Sequence, residues 1–299
     1  HSNHPICGKT HTAIGDHKGS CENVTWTEVT QADVTEGGEL KLEDGKSYYL
    51  GENISVKYDI TIKGTVNLCL NGHSITKTSA SSPSEGVITV EPNSSFTLCD
   101  CNGSGADNGK ITHADTVTGR GVLVGSSSSR PSTTSFIMYG GTISGNRING
   151  DDGAGVRVHS ASFKMYGGTI SDNCVEGNPN YGGGGVAVSG NAKFIVYGGE
   201  ISRNKSDVDG GGVAVVWSSF QMYGGTISGN TATGDGGGVG LWNDSFRLSG
   251  GTISGNTATS RGGGVYFRGD TLTISDTVEI SGNSAANGGG VYINSQDLA

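Results

Sequence analysis

The run FQMYGGTISGNTATGDGGGV, from Phe220 to Val239, decides the fold. It returns almost unchanged as FRLSGGTISGNTATSRGGGV from Phe246 to Val265. Shorter versions stand upstream: FIMYGGTISGN from Phe136, FKMYGGTIS from Phe163 and FIVYGGEIS from Phe194. The isoleucine of the TIS-like triplet marks the phase at Ile75, Ile111, Ile143, Ile170, Ile201, Ile227, Ile253 and Ile280, spaced 26 to 36 residues apart. A period of that size means a solenoid, a propeller or an array.

The content of one repeat chooses among them. Val239-Gly240-Leu241, Phe246-Arg247-Leu248 and Thr252-Ile253-Ser254 are short alternating runs separated by glycine and polar turn residues, which is the strand signal. No window has helical periodicity, and 54 glycines would oppose a helix. Propeller blades need longer strands and longer repeats. The expected fold is therefore all-β: a single-stranded parallel β-helix with three short strands per coil, right-handed by the usual hand of parallel crossovers. Residues 1–50 read as a Cys/His-rich N-terminal segment and cap, and residues 51–299 as the β-helix.

Composition narrows the partners. A net charge of −9 disfavours nucleic acid and anionic membrane surfaces and favours neutral glycans over uronate-rich ones, and no apolar run is long enough to span a bilayer. The chain opens at His1 without a leader and closes on an uncapped coil at Gly288–Ile293, so it reads as a piece of a protein that continues beyond Ala299.

The first residues differ from the rest. His1, His4, His11 and His17 lie close to Cys7 and Cys21, a spacing that suits either a disulfide or a structural zinc but matches no standard finger. Cys69, Cys99 and Cys101 fall on the first coils near His73 and His113, where a metal or a cross-coil pairing is open. Two insertions, 125–135 and 174–182, read as surface loops, with Cys174 in the second.

Equivalent positions of successive coils form columns. Asn146, Asn173, Asn204, Asn230, Asn256 and Asn283 make an amide ladder with a structural role. Tyr139, Tyr166, Tyr197 and Tyr223 make an aromatic row that invites sugar stacking, but like rings in consecutive coils mostly cover one another's faces and leave edges outward, which favours a structural ladder. Asp152, Asp209 and Asp235, followed by Arg261 and Asn287, precede the triple glycine; the column suits solvated turns, Ca²⁺ or an acid–base pair.

Departures from the repeat carry the functional signal. After the GGGV turn the outward residues are Ala187, Ala214 and Gly240, then Tyr266 and Tyr292, with Trp217, Trp242, Asn243, Asp244 and Arg268 just downstream. Outward aromatics beside polar side chains suit sugar rings. Trp217, Trp242, Tyr266 and Tyr292 would stack, and Arg268, Asp244 and Asn243 would bond hydroxyls.

The runs LCLNGHSIT from Leu68, FTLCDCNGSG from Phe96 and YGGTISGN…GGGV resemble large surface proteins of gut Firmicutes with the pectin-lyase-like β-helix architecture. More narrowly, the chain resembles β-helical carbohydrate-binding modules attached to gut-bacterial xylanases, carbohydrate-binding module family 89. That resemblance spans roughly residues 1–299 and implies xylan binding, no catalysis, an extracellular setting and a catalytic domain in the parent chain. It fixes no individual binding residue. The rivals are a polysaccharide hydrolase or lyase and an adhesive stalk. Against the hydrolase, Asp151-Asp152 lacks a companion Gly-His-Gly and Arg-x-Lys; against the lyase, Arg157, His159 and Lys164 lack an acid cluster.

Overall fold

The computed structural model describes residues 3–5, 23–79, 86–102, 109–126, 133–177, 181–242, 245–269, 271–275 and 277–294. Parallel strands from successive repeats stack into long sheets, giving the expected β-helix. One repeat shows the path. Val239–Trp242 lies in the Val sheet, Ser245–Leu248 in the Phe sheet and Gly251–Ser254 in the Ile sheet, after which the chain turns through the triple glycine to Val265–Arg268.

Two expectations change. First, the central coils hold a fourth strand: Arg147–Asn149, Cys174–Glu176, Lys205–Ser206, Thr231–Ala232 and Thr257–Ala258 pair in a five-stranded corner sheet. Cys174 is therefore on a strand rather than in a loop. Ile148 and Val175, fully inside, close this corner where the later coils need only Ser206, Ala232 and Ala258. Second, Thr27–Val29 and Lys46–Leu50 already pair in parallel within the Phe sheet, so stacking begins ahead of residue 51. Asn3–Pro5 and Asn23–Thr25 form a separate antiparallel pair; Cys7, Cys21, His11 and His17 lie outside the described residues.

Inward positions alternate with outward ones along every strand, so only half of each needs to be apolar. Phe96, Phe136, Phe163, Phe194, Phe220 and Phe246 point inward and stack with ring centroids 4.6 to 5.4 Å apart. Isoleucines and valines of the other two sheets complete one continuous core.

The corners decide which residues are allowed. Gly236 has φ +69, and a Cβ on Gly237 would stand 2.5 Å from the Gly263 and Thr257 carbonyl oxygens, so neighbouring coils approach too closely for any side chain. At the opposite corner each ladder Asn turns inward. Asn230 donates from Nδ2 to the Ile201 carbonyl and to Asn256 Oδ1, both at 2.9 Å, and accepts from the backbone N and Nδ2 of Asn204 at 2.9 and 3.0 Å. The amides thus satisfy buried corner groups that the sheets leave over.

Removing one rung leaves several buried donors and acceptors unpaired at about 1–3 kcal/mol each. Asn230→Ala should lower the unfolding free energy by about 4 kcal/mol, while Asn283→Ala, on the half-buried terminal rung, should cost less than half of that. Urea denaturation of both variants checks the order.

Candidate functional site

Trp217 is the least sheltered of the large aromatics. Its residue is 59% exposed and its backbone sits at φ +50. Register through His159, Ser189 and Val216 places Ser160 and Gly190 at the same turn in the two preceding coils. A bulky residue in the left-handed region costs about 1–3 kcal/mol, and such strain clusters at functional sites. The turn accepts a backbone bond from Asn191 to the Trp217 carbonyl and sends one from Trp217 N to the Trp242 carbonyl, at 2.8 and 3.2 Å. The conformation is therefore held by its neighbours.

The other expected residues are arranged differently from an open platform. Trp242 folds back over Gly240, whose missing side chain leaves room for the indole. Its ring is tilted on Tyr266 at 5.5 Å. Tyr266 points outward as expected but is only 2% exposed. Tyr292 stacks on it at 5.9 Å, and the Arg261 guanidinium lies 4.9 Å from the Tyr266 ring centre. Tyr266 is thus a buried filler, not a free stacking surface. Tyr292 is half-buried in the same cluster, and Arg268 is exposed beside Trp242 in register. Asn243 and Asp244 lie outside the described residues.

The aspartate column is consumed by the turns. Asp152 Oδ1 accepts from the backbone of Tyr181 and Gly182 at 3.0 and 2.9 Å, and Asp209 Oδ1 from Asp235 N at 2.6 Å. Arg261 closes on Asp235 with bonds of 3.0 and 2.5 Å. Asp152 and Asp235 are buried rather than solvated. Asp151 lies between Arg157 and the buried Arg120; burial pushes its carboxyl up, but the two guanidiniums outweigh that and hold it below the usual range. Arg157 and His159 face out of the Val sheet, whereas Lys164 belongs to the Phe sheet, so the three do not converge. His159 Nδ1 instead meets Ser189 Oγ at 2.8 Å.

Among the described residues no group of three or more His, Cys, Asp or Glu is arranged to hold a metal ion, and no helix is long and apolar enough to cross a membrane. His113 has another role: its Nδ1 donates to Asn146 Oδ1 at 2.9 Å, ending the amide ladder.

A second surface, along the tyrosine row, lies on the outer face of the Phe sheet. A depression of about 280 Å³ is lined by Lys164, Lys193, Ile195, Gln221, Tyr197 and Tyr223, among others. The tyrosine row forms one rim, with centroids 4.7 to 5.4 Å apart. Its last ring, Tyr223, is 41% exposed, because Ser249 stands where the next coil would supply another ring. The other rim begins just past the Trp217 turn, since Trp217 precedes Ser219, the register partner of Lys193. The sequence signal was the outward series Ile137, Lys164, Ile195, Gln221 and Arg247, which the inward phenylalanines obscure.

No family model matches the chain, and neither a curated protein nor a solved structure matches it.

Burial, opposed by the bond to Asn146 and reinforced by Lys77, lowers the His113 pKa from 6.5 to about 4. Below pH 6.5 the unfolded chain takes a proton that the folded chain refuses. This contribution is complete above that pH and is lost as the pH falls toward 4, by up to about 3 kcal/mol. His113→Asn keeps an amide for Asn146 and should flatten the decline between pH 7 and 4.5; denaturation curves of both proteins across that range decide it.

Proposed function

We propose that this chain is an extracellular carbohydrate-binding module for plant cell-wall polysaccharide of the xylan type, serving a catalytic domain elsewhere in its parent protein. The observation that carries the reading is Trp217: an exposed indole held in a strained left-handed turn where the preceding coils make do with serine and glycine. Folding alone does not call for it. A flat exposed ring suits the C–H face of a pyranose, and Tyr223, 41% exposed on the rim of the Phe-sheet depression, offers a second open ring.

The repeat geometry supports a polymer rather than a single sugar. Coils recur at about 4.8 Å, close to one sugar unit of an extended β-linked chain, so successive units meet equivalent positions. Aromatic stacking contributes about 1 kcal/mol per ring beyond burial by analogy with aromatic pairs. Two rings with a few hydroxyl contacts give the modest, multivalent affinity that suits targeting. Resemblance to the xylanase-linked modules supports the choice of xylan, and the irregular aromatics weigh against a plain stalk.

Trp217→Gly separates function from folding. Glycine relieves the left-handed strain and matches Gly190, so thermal stability should hold or rise slightly. Retardation by soluble xylan in affinity electrophoresis should weaken roughly tenfold, with no reducing ends released by either protein. Unchanged retardation would remove Trp217 from the site, and released ends would make the protein an enzyme.

A further inference from the structure

Building on the glycan-binding reading, we infer that the groove on the outer face of the Phe sheet takes an acidic polysaccharide, its lysines meeting carboxylates carried on the sugar chain. The charge distribution carries this. The chain as a whole is at −9, yet the strands Ser135–Met138, Ser162–Met165, Lys193–Val196, Ser219–Met222 and Ser245–Leu248 hold Lys164, Lys193 and Arg247 and no aspartate or glutamate. Asp152, Asp209 and Asp235 are in the turns before the Val sheet, and Asp172 pairs with Arg203 at the Ile-sheet corner, while Asp244 directly precedes the last of these five strands in sequence.

Register sets the spacing of these groups. Lys164 pairs with Ile195 and Ile195 with Gln221, making one outward column along the axis, while Lys193 stands on the adjacent coil beside it. Ile195 is buried at the floor, and Tyr197 and Tyr223 present ring edges and one open face. A backbone sugar can lie against the apolar floor and rings while a uronic acid branch turns toward the lysines. A neutral polymer uses the same rings and brings the lysines no carboxylate to meet.

The test uses glucuronic acid-substituted xylan and the same polymer after its carboxyl groups are chemically reduced to alcohols. The wild-type chain should bind the acidic polymer roughly tenfold more tightly at low salt, and the preference should shrink as ionic strength rises. Lys164→Gln with Lys193→Gln should abolish the preference and change binding to the reduced polymer less than twofold. Circular dichroism confirms that the variant is folded, and single substitutions provide a second reading if the pair is not. Equal wild-type affinity for the two polymers overturns the inference and leaves the glycan-binding function standing. Binding of neither polymer overturns both.

A separate observation assigns a covalent link. Cys69 Sγ and Cys101 Sγ lie 3.0 Å apart on successive coils. Cys99 is the register partner of Cys69, but paired residues on parallel strands project side by side, which disfavours bonding between them. We propose that Cys69 and Cys101 form a disulfide: two S–H bonds break, one S–S bond forms, and two electrons and two protons pass to a disulfide oxidant that leaves as two thiols. Cys69 clusters with Trp26, and Cys101 and Tyr139 pack against that cluster, so the link would join two successive coils beneath the segment that carries Trp26. After glutathione disulfide treatment, non-reducing peptide mapping should find a Cys69–Cys101 cross-link with Cys99 alkylated, and reductant should lower the unfolding midpoint. A Cys69–Cys99 link, or alkylation of both Cys69 and Cys101 in the folded, oxidised protein, overturns it.

Discussion

Parallel register between coils is the constraint from which the molecule's other features follow. Each strand bonds to its equivalents above and below, so like residues are forced into columns about 4.8 Å apart. Hydrogen bonds alone would tolerate a slip, because every backbone looks the same to its neighbour. The buried amides do not. Asn146 through Asn283 bond to one another and to carbonyls of the preceding coil, and a one-residue shift would strand all of these groups in the core. The glycine corner adds steric selection, since a Cβ at Gly211 or Gly237 would collide with the next coil's backbone.

Once the inside is locked, the ends of a column are more informative than its middle. The amide column stops at Asn146, and His113 with the buried Lys77 takes over in the coils where the corner sheet is absent. Those coils therefore satisfy their corner with long cationic or imidazole side chains and acquire acid sensitivity. The tyrosine column is continuous in register with Cys99, Cys69 and Tyr49 on one side and ends against Ser249 on the other. The same outward position is thus a thiol cluster at the start of the solenoid and an open aromatic face near its end.

Much of this was legible before any coordinates. The period, the alternation, the amide ladder and the positive-φ glycines all follow from repetition, because repetition forces equivalent residues into equivalent environments. The corner sheet was not legible: Thr231-Ala232 is too short to alternate, and only its pairing with Thr257-Ala258 makes it a strand. Tyr266 was legible in direction but not in burial, since what covers it, Arg261 and Trp242, comes from a different turn and a different coil. The strain at Trp217 was invisible because nothing in its local sequence marks a left-handed residue.

Charge shows why column reading outperforms composition here. A net charge of −9 suggests a preference for neutral ligands only if the charges are spread evenly. In a solenoid they are not, because each outward column is a separate strip of surface. Acids in the turns are tied to backbone N–H groups and to Arg261, so their field is largely spent on the fold. The five Phe-sheet strands between Ser135 and Leu248 contain no acid, and their central outward positions vary among isoleucine, lysine, glutamine and arginine. At about 0.1 M salt charges further apart than about 10 Å are screened, so the groups lining the groove dominate what a ligand there senses. The field that selects a ligand is therefore that of one face, and the fold is what keeps the faces separate.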